Sequence, residues 1–443
     1  MASTLSPSER RVVIGKIVRV ASGNFLEMYD FVVYGYYAIY IAATFFPEGN
    51  EYAALMLALM TFGVGYIMRP LGALILGAYI DKHGRRKGLL VTLLIMAVGT
   101  LSIAVAPGYR TIGLFAPLII VAGRLLQGLS AGVELGGVSV YLSEISTPGN
   151  RGFYVAWQSA SQQVAVVFTA LVGIILTTQL SIGEMSAWGW RVPFIVGCLI
   201  IPVLLWLRGS LEETEAFKKG AHPQSLAETC ALVLVNWRPV VLGMMLSALN
   251  TTNFYLITAY TPTFAQRELH LGANGSLVVV LCVGLSNFIW VPIGGAISDR
   301  IGRRPMLLAM PILCLLTGYP VMAWLVENPT LLKLLVAQLW FSCLFGLYNG
   351  GMIPTLLEIM PAPIRTAGFS LAFSLNTVVF GGFTPAIATF AIQATGSRAA
   401  PALWLSFAAG ISLTAALLVS RRSASLDVPD RGRARIVRAE ATN

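Results

Sequence analysis

GAYIDKHGRRK, residues 77–87, returns as GAISDRIGRRP, residues 295–305. Asp81 corresponds to Asp299, and Arg85 and Arg86 to Arg303 and Arg304, all at an offset of 218 residues. Each copy lies between two apolar runs long enough to cross a bilayer. A short loop of Asp, Gly and paired Arg cannot lie in hydrocarbon, so it marks a tight aqueous hairpin between spans. A second pair of motifs repeats as well. YLSEISTPGNRG (141–152) sets Glu144 seven residues before Arg151, and TLLEIMPAPIRTAG (355–368) sets Glu358 seven before Arg365, at an offset of 214. Two motifs recurring at nearly one offset mean two homologous halves of about six spans each.

Composition agrees. With 56% hydrophobic and 11% charged residues in 443, the chain does not describe a soluble protein. No cleavable signal is expected ahead of the first apolar run, because residues 1–20 are polar and basic without a small-residue cleavage site. The cysteines (Cys198, Cys230, Cys282, Cys314, Cys343) are scattered, four of them in apolar segments, and read as small core residues. The three histidines fall in loops, so no metal site is expected.

The net charge of +10 could point to nucleic acid, but its placement argues against that. If the two GRR loops are cytoplasmic, 23 of the 30 Lys and Arg lie on that side, which is the positive-inside distribution. Both termini are then cytoplasmic. The basic tail (Arg421, Arg422, Arg431, Arg433, Arg435, Arg438) would meet anionic lipid headgroups.

The expected fold is an all-α membrane protein with twelve transmembrane helices in two six-helix, pseudo-symmetric bundles. The spans lie near 20–45, 52–80, 88–106, 113–141, 154–179 and 190–207, then 239–265, 274–298, 306–325, 331–357, 367–393 and 402–420. This divides the chain into a cytoplasmic segment (1–19), an N-terminal bundle (20–207), a charged cytoplasmic linker (208–238), a C-terminal bundle (239–420) and a basic cytoplasmic tail (421–443). Gly128, Gly132, Gly136 and Gly137 sit at helical spacing in the fourth span, where small residues let helices approach closely.

A charge in the middle of a span costs ~2.5 kcal/mol or more, so each needs a partner or a wet cavity. The first half holds such a set: Asn24, Glu27 and Asp30 in the first span, Arg69 in the second, and Arg124, Gln127 and Glu134 in the fourth. Glu27 and Asp30 are three apart and share a helix face with Asn24 and Tyr34. Arg69 lies twelve residues before Asp81, about 18 Å along a helix and so near mid-membrane. Two readings compete. The acids (Glu27, Asp30, Glu134) carry protons and the arginines take a carboxylate in their planar fork. Alternatively, Glu27–Arg69 and Asp30–Arg124 are permanent ion pairs that only hold helix register. Gln158 and Gln162 in the fifth span, Tyr255 in the seventh and Asn349 in the tenth are expected, with Asn24 and Tyr34, to orient the substrate. The second half carries no charge inside its spans, so the functional charges belong to the first.

The loop charges read as a cytoplasmic gate: Asp81, Arg85, Glu144 and Arg151, with their echoes Asp299, Arg303, Glu358 and Arg365. Placed at helix ends, they can pair only when the halves close on that side, and making such pairs biases a two-state equilibrium.

The runs SGNFLEMYDF (22–31), RPLGALILGAYIDKHGRRK (69–87), GRLLQGLSAGVELGGVSVYLSEISTPGNRG (123–152) and GGAISDRIGRRP (294–305) resemble the metabolite–proton symporters of the major facilitator superfamily. WQSASQQVAVV (157–167), NFIWVPIGGAISDRIGRRP (287–305) and FSLAFSLNTVVFGGFTPA (369–386) look most like bacterial citrate–proton and tricarballylate symporters. The resemblance spans roughly residues 16–420. It implies alternating access in the bacterial inner membrane and proton-coupled uptake of a tricarboxylate. In sugar–proton relatives an acid at the position of Asp30 and an arginine at that of Arg124 form the proton-coupling pair, and both residues are present here.

The expected activity is therefore citrate or tricarballylate import with protons as the coupling ion, by a monomer with no other cofactor, no metal and no nucleic-acid partner. One rival keeps the fold and changes the cargo to a dicarboxylate, shikimate, proline or betaine. Osmolyte members of the group carry long coiled-coil tails, whereas residues 421–443 are short, contain Pro429 and show no heptads. A second rival is a non-transporting nutrient sensor, which would need room for a signalling domain. Enzymatic activity finds no support, since no nucleophile–base set or phosphate loop is present.

Overall fold

Hydrocarbon offers the backbone no hydrogen-bond partners, so apolar runs of this length must become helices. The computed structural model describes residues 23–426 except 48, 84, 133, 148, 210–225 and 362–363. Side chains at 23–24, 78, 80–86, 89, 134–135, 203–209, 226–227, 229 and 420–426 also lie outside that description. Among the described residues there is no strand, and every expected span is occupied by helix.

The first span is Gly23–Tyr36, interrupted at Tyr37 and resumed as Ala38–Phe45. The second is Glu51–His83 and the third Arg85–Val105. The fourth is Phe115–Ala131 followed by Glu134–Glu144, the fifth Arg151–Gln179 and the sixth Val192–Gly209. In the second half the seventh is Trp237–Ile257, continued past a break as Thr261–Arg267. Then come Ala273–Ile301, Arg303–Glu327 and Leu331–Ile359 as the eighth to tenth. The eleventh is Arg365–Asn376, a π-helical turn Thr377–Gly382 and Thr384–Thr395; the twelfth is Pro401–Leu426. Nine of these are long and apolar enough to cross a membrane over their described residues. The first is broken, and the third and sixth are apolar over Leu90–Val105 and Gly189–Pro202.

Two departures from the expected spans stand out. A ten-residue helix, Leu226–Val235, lies in the stretch read as linker. The twelfth helix runs on to Leu426, into the stretch read as tail.

The outer surface is apolar, with Leu118, Ile175, Leu199, Leu316 and Phe390 all exposed, as expected of a face that meets lipid acyl chains. Polar and charged side chains collect inside. The fifth helix packs along the eighth and the second along the eleventh, and these pairs form the seam between the halves. Within the first half, the second and fourth helices meet on small residues. A Cβ built at Gly128 would land on the Gly65 carbonyl, and one at Gly132 on the carbonyl of Arg69. This contact carries Arg69 and Arg124 to the same depth. By contrast, a Cβ at Gly137 would meet nothing within 4 Å.

Gly128→Val is accordingly expected to cost about 1–3 kcal/mol or more through overpacking. Thermal unfolding of the detergent-purified protein checks this. The melting temperature should fall in Gly128→Val and hold in Gly137→Ala.

Candidate substrate and proton site

Among the described residues four charged residues are buried inside the spans, and all belong to the first half: Glu27, Asp30, Arg69 and Arg124; Asp299, at a helix end of the second half, buries its side chain as well. Glu27 and Asp30 share one face of the first helix, yet the helices that cross it give them different neighbours. Glu27 faces the second helix, where its Oε1 lies 3.1 Å from Arg69 Nη2. Asp30 faces the third, where the Thr100 hydroxyl lies 2.5 Å from its Oδ2. Phe31 sits against both arginines: the guanidinium carbons of Arg69 and Arg124 lie 4.3 Å and 4.5 Å from its ring centroid. Tyr66 also backs Arg69 at 4.4 Å, while Tyr34 and Phe62 back Arg124 at 4.6 Å and 5.1 Å. Desolvated cation–π contacts of this kind are worth about 2 kcal/mol or more each.

One of the two ion pairs raised by the sequence, Glu27–Arg69, is present. The other is not. Asp30 and Arg124 make no direct ion pair; two neutral side chains stand between them. Arg124 Nη1 donates to Gln127 Oε1 at 2.7 Å, and Gln127 Nε2 donates to Thr100 Oγ1 at 3.0 Å. Geometry explains the difference. Arg124 points towards the second helix, where its Nη2 donates to the Phe62 carbonyl at 3.3 Å, and Gln127 one turn on fills the gap to Asp30. Asp30 Oδ1 has no hydrogen-bond partner among the described residues, and lies 3.2 Å from the position of a Cβ built at Gly197 on the sixth helix.

Arg69 lies next to the seam. Its backing ring, Tyr66, donates through its hydroxyl to that of Tyr255 in the other half at 2.8 Å. The π-helical turn of the eleventh helix seats this pair. A Cβ at Gly381 would fall 2.8 Å from the Tyr255 ring, and one at Gly382 2.6 Å from that of Tyr66. Only glycines allow that approach, and an extra residue in a helical turn is a recurrent feature of functional sites. Sequence reasoning missed Tyr66, Thr100 and this turn. The only signal was the adjacent Gly381 and Gly382 inside an apolar run.

The remaining expected substrate residues are dispersed. Tyr34 lies behind Arg124 and donates to the Ala58 carbonyl at 3.2 Å. Gln158 and Gln162 are buried, and Gln158 Nε2 has no partner among the described residues. Asn349 donates to Asn250 Oδ1 at 3.1 Å. Gln163, outside the set expected to orient substrate, accepts from Asn287 of the other half at 3.1 Å. The Asn24 and Glu134 side chains lie outside the described residues. Among the described residues no cluster of His, Cys, Asp and Glu could hold a metal.

At the end of the bundle bearing the repeated loops, Asp299 grips the start of the fifth helix. Its two oxygens accept from Gly152 N at 2.8 Å and Phe153 N at 2.9 Å. These first-turn amides lack partners within their own helix and sit at its positive end, so a carboxylate suits them. Arg303 Nη1 holds the same carboxylate at 2.7 Å. Glu358 lies 3.9 Å from Arg151 and 3.6 Å from Arg303. The cross-seam contact thus joins a side chain to backbone as well as acid to base. Glu144 and Arg365 form no ion pair among the described residues, and the Asp81 and Arg85 side chains lie outside them. At the opposite end Arg267 meets Glu51 at 2.7 Å and Asn274 meets Thr177 at 3.1 Å, so the halves touch at both ends.

The profile of the Major Facilitator Superfamily matches residues 20–383. The chain belongs to this superfamily. Among curated members, a citrate-proton symporter of Salmonella typhi is 56% identical over 421 residues, 95% of this chain and 97% of that one. A citrate-proton symporter of Klebsiella pneumoniae is 55% identical over 411 residues, 93% of each chain. Among solved superfamily structures, the partially occluded inward-open xylose transporter XylE from E. coli superposes with a TM-score of 0.73. The alignment is 17% identical and covers 94% of this chain and 98% of that one. The two bundles and their seam are therefore those of the superfamily, and the chain is an integral membrane transporter.

Two outcomes are expected. Removing one partner of a buried pair costs about 3–5 kcal/mol, so Glu27→Gln and Arg69→Gln should each lower the melting temperature; the double variant should lose less than the sum. Asp299→Ala removes two charge-assisted bonds at about 1.5–3 kcal/mol each. Spin labels introduced at Phe153 and Ile301 should then report longer and broader distances across the seam.

Proposed function

We propose that this protein imports citrate, or a close tricarboxylate such as tricarballylate, together with protons by alternating access. The observation that carries the reading is the Glu27–Arg69 pair beside the Tyr66–Tyr255 bridge, where the two halves meet. An arginine there needs a negative partner at all times, and Glu27 and a substrate carboxylate compete for the same fork. Protonating Glu27 frees the fork for substrate. The names and high identity of the citrate-proton symporters support a tricarboxylate cargo.

Energetics ask for the same coupling. A trianion entering a negative interior is opposed by about 2.3 kcal/mol per charge per 100 mV, or roughly 7 kcal/mol. At least three accompanying positive charges are needed to cancel the field. In this reading Asp30, Glu27 and Glu134 carry protons and Arg69 and Arg124 hold carboxylates. Asn24, Tyr34, Gln158, Gln162, Tyr255 and Asn349 orient the substrate in the conformations that open. Asp81, Arg85, Glu144 and Arg151, with Asp299, Arg303, Glu358 and Arg365, close the cytoplasmic side. The protein works as a monomer in contact with lipid in a bacterial inner membrane, with both termini cytoplasmic and protons as its coupling ion.

Labelled citrate uptake into proteoliposomes tests this. Uptake should require an inward proton gradient, collapse with a protonophore and be competed by tricarballylate in preference to α-ketoglutarate or betaine. Asp30→Asn should abolish gradient-driven uptake; undiminished uptake in that variant would remove Asp30 from the proton path.

A further inference from the structure

The Thr100 hydroxyl stands at a junction of three groups. It lies 2.5 Å from Asp30 Oδ2, 3.0 Å from the Met96 carbonyl and 3.0 Å from Gln127 Nε2. The proton positions follow by elimination. Arginine has no acceptor, so the end of Gln127 that meets Arg124 at 2.7 Å must be its oxygen. The Gln127 amide nitrogen therefore faces Thr100, and the Thr100 oxygen accepts from it. That leaves Thr100 one hydrogen and two candidates to receive it, Asp30 and the Met96 carbonyl.

We propose that Thr100 is the switch that lets Asp30 exist in both protonation states without moving, and that Gln127, held by Arg124, keeps Thr100 poised by donating to its oxygen in both. This rests on the reading of Asp30 as a proton site. With Asp30 ionised, the Thr100 hydrogen points at Oδ2 and stabilises the carboxylate. With Asp30 protonated, the acid donates to Thr100 Oγ1, and the Thr100 hydrogen turns to the Met96 carbonyl. That carbonyl, one helical turn back, is the ordinary partner of a threonine in a helix. Thr100 then accepts twice and donates once, which is its full capacity. Every hydrogen bond in the chain has a partner in either state, and no heavy atom shifts.

The arrangement answers a physical requirement. A buried acid that must gain and lose a proton pays heavily in whichever state lacks a partner. Asp30 Oδ1 has no partner among the described residues, so Oδ2 and its Thr100 contact carry the whole load. A direct arginine contact would favour only the ionised form. Interposing a hydroxyl and an amide keeps the guanidinium near enough to sense the charge without locking it. The other titratable groups facing Asp30 are Arg124 from the fourth helix, Cys198 from the sixth and Tyr29 from its own. The Tyr29 hydroxyl is committed to the Pro193 carbonyl at 2.7 Å. Arg124 has no acceptor, and neither Cys198 nor Tyr29 hydrogen-bonds Asp30 Oδ2 as Thr100 does.

The test is the dependence of citrate uptake on external pH in proteoliposomes. Thr100→Val keeps the shape and removes the hydroxyl, so ionised Asp30 loses its donor and protonated Asp30 its acceptor, and the charge-assisted bond of the ionised form is the larger loss. The midpoint should move to higher pH by about one unit. Thr100→Ser keeps the hydroxyl and should keep the wild-type midpoint. Gln127→Met releases the constraint on Thr100 and should shift the midpoint in the same direction by less, which also covers a Thr100→Val protein that does not fold. A rate that falls with unmoved midpoints, in a background where Asp30→Asn has lost uptake, overturns the switch and leaves the proton site standing. Gradient-driven, pH-dependent uptake retained in Asp30→Asn overturns the underlying reading and the switch with it.

Discussion

Two guanidinium groups buried on one phenyl ring set the conditions for everything around them. Arg69 and Arg124 both lie against Phe31, and neither can shed its charge at any accessible pH. A low-dielectric interior tolerates that only if negative charge and oriented dipoles are supplied nearby. Glu27 supplies the charge to Arg69 directly. Arg124 is served differently, by the Gln127 amide, the Phe62 carbonyl and the faces of Tyr34 and Phe62. The aromatic side chains of the first and second helices are thus part of the electrostatics.

This division places the two clusters in different positions relative to the moving parts. The Glu27–Arg69 pair adjoins the seam, since the ring behind Arg69 is bonded across it to Tyr255. The Asp30–Thr100–Gln127–Arg124 chain is held by the first, third and fourth helices of one half. A rigid-body rocking of the halves would break the first environment and leave the second intact. The second half answers with neutral groups: Asn250 with Asn349, Asn376 with Thr251, and Asn287 with Ser342. Neutral amides exchange partners at modest cost, whereas charges do not. That suits one half to hold charge and the other to slide past it.

The ends of the molecule obey a related constraint. Helix starts present amides without internal partners, and the repeated loop uses an acid to satisfy those of a helix in the opposite half. Because Asp299 binds backbone, the contact asks for no particular side chain at Phe153, whereas Gly152 must stay bare: a Cβ there would fall 2.7 Å from the Gly295 carbonyl and 2.8 Å from Asp299 Oδ1. The worth of this contact disappears once the halves part, which is what a reversible closure requires.

Much of this was legible in the order of residues. The duplicated Asp-Gly-Arg-Arg loops and Glu-to-Arg spacings established two halves. Run lengths placed the spans, because hydrocarbon thickness and helical rise leave little freedom. The confinement of buried charge to the first half was equally plain, since charge in a span is rare and costly. The choice of partners was not legible. Spacing puts Glu27 and Asp30 on one face, but helix crossings decide that one meets an arginine and the other a threonine. Tyr66, Thr100 and the Gly381–Gly382 turn looked like ordinary apolar or small residues in a helix. They acquire a role only because the second helix is drawn close to the eleventh and the third meets the first and fourth. Sequence by itself determined what must be buried and how many times the chain crosses, through solvation. Tertiary structure alone decided which buried groups touch, because hydrogen bonds and ion pairs act over a few ångströms and the packing of glycine seams sets those distances.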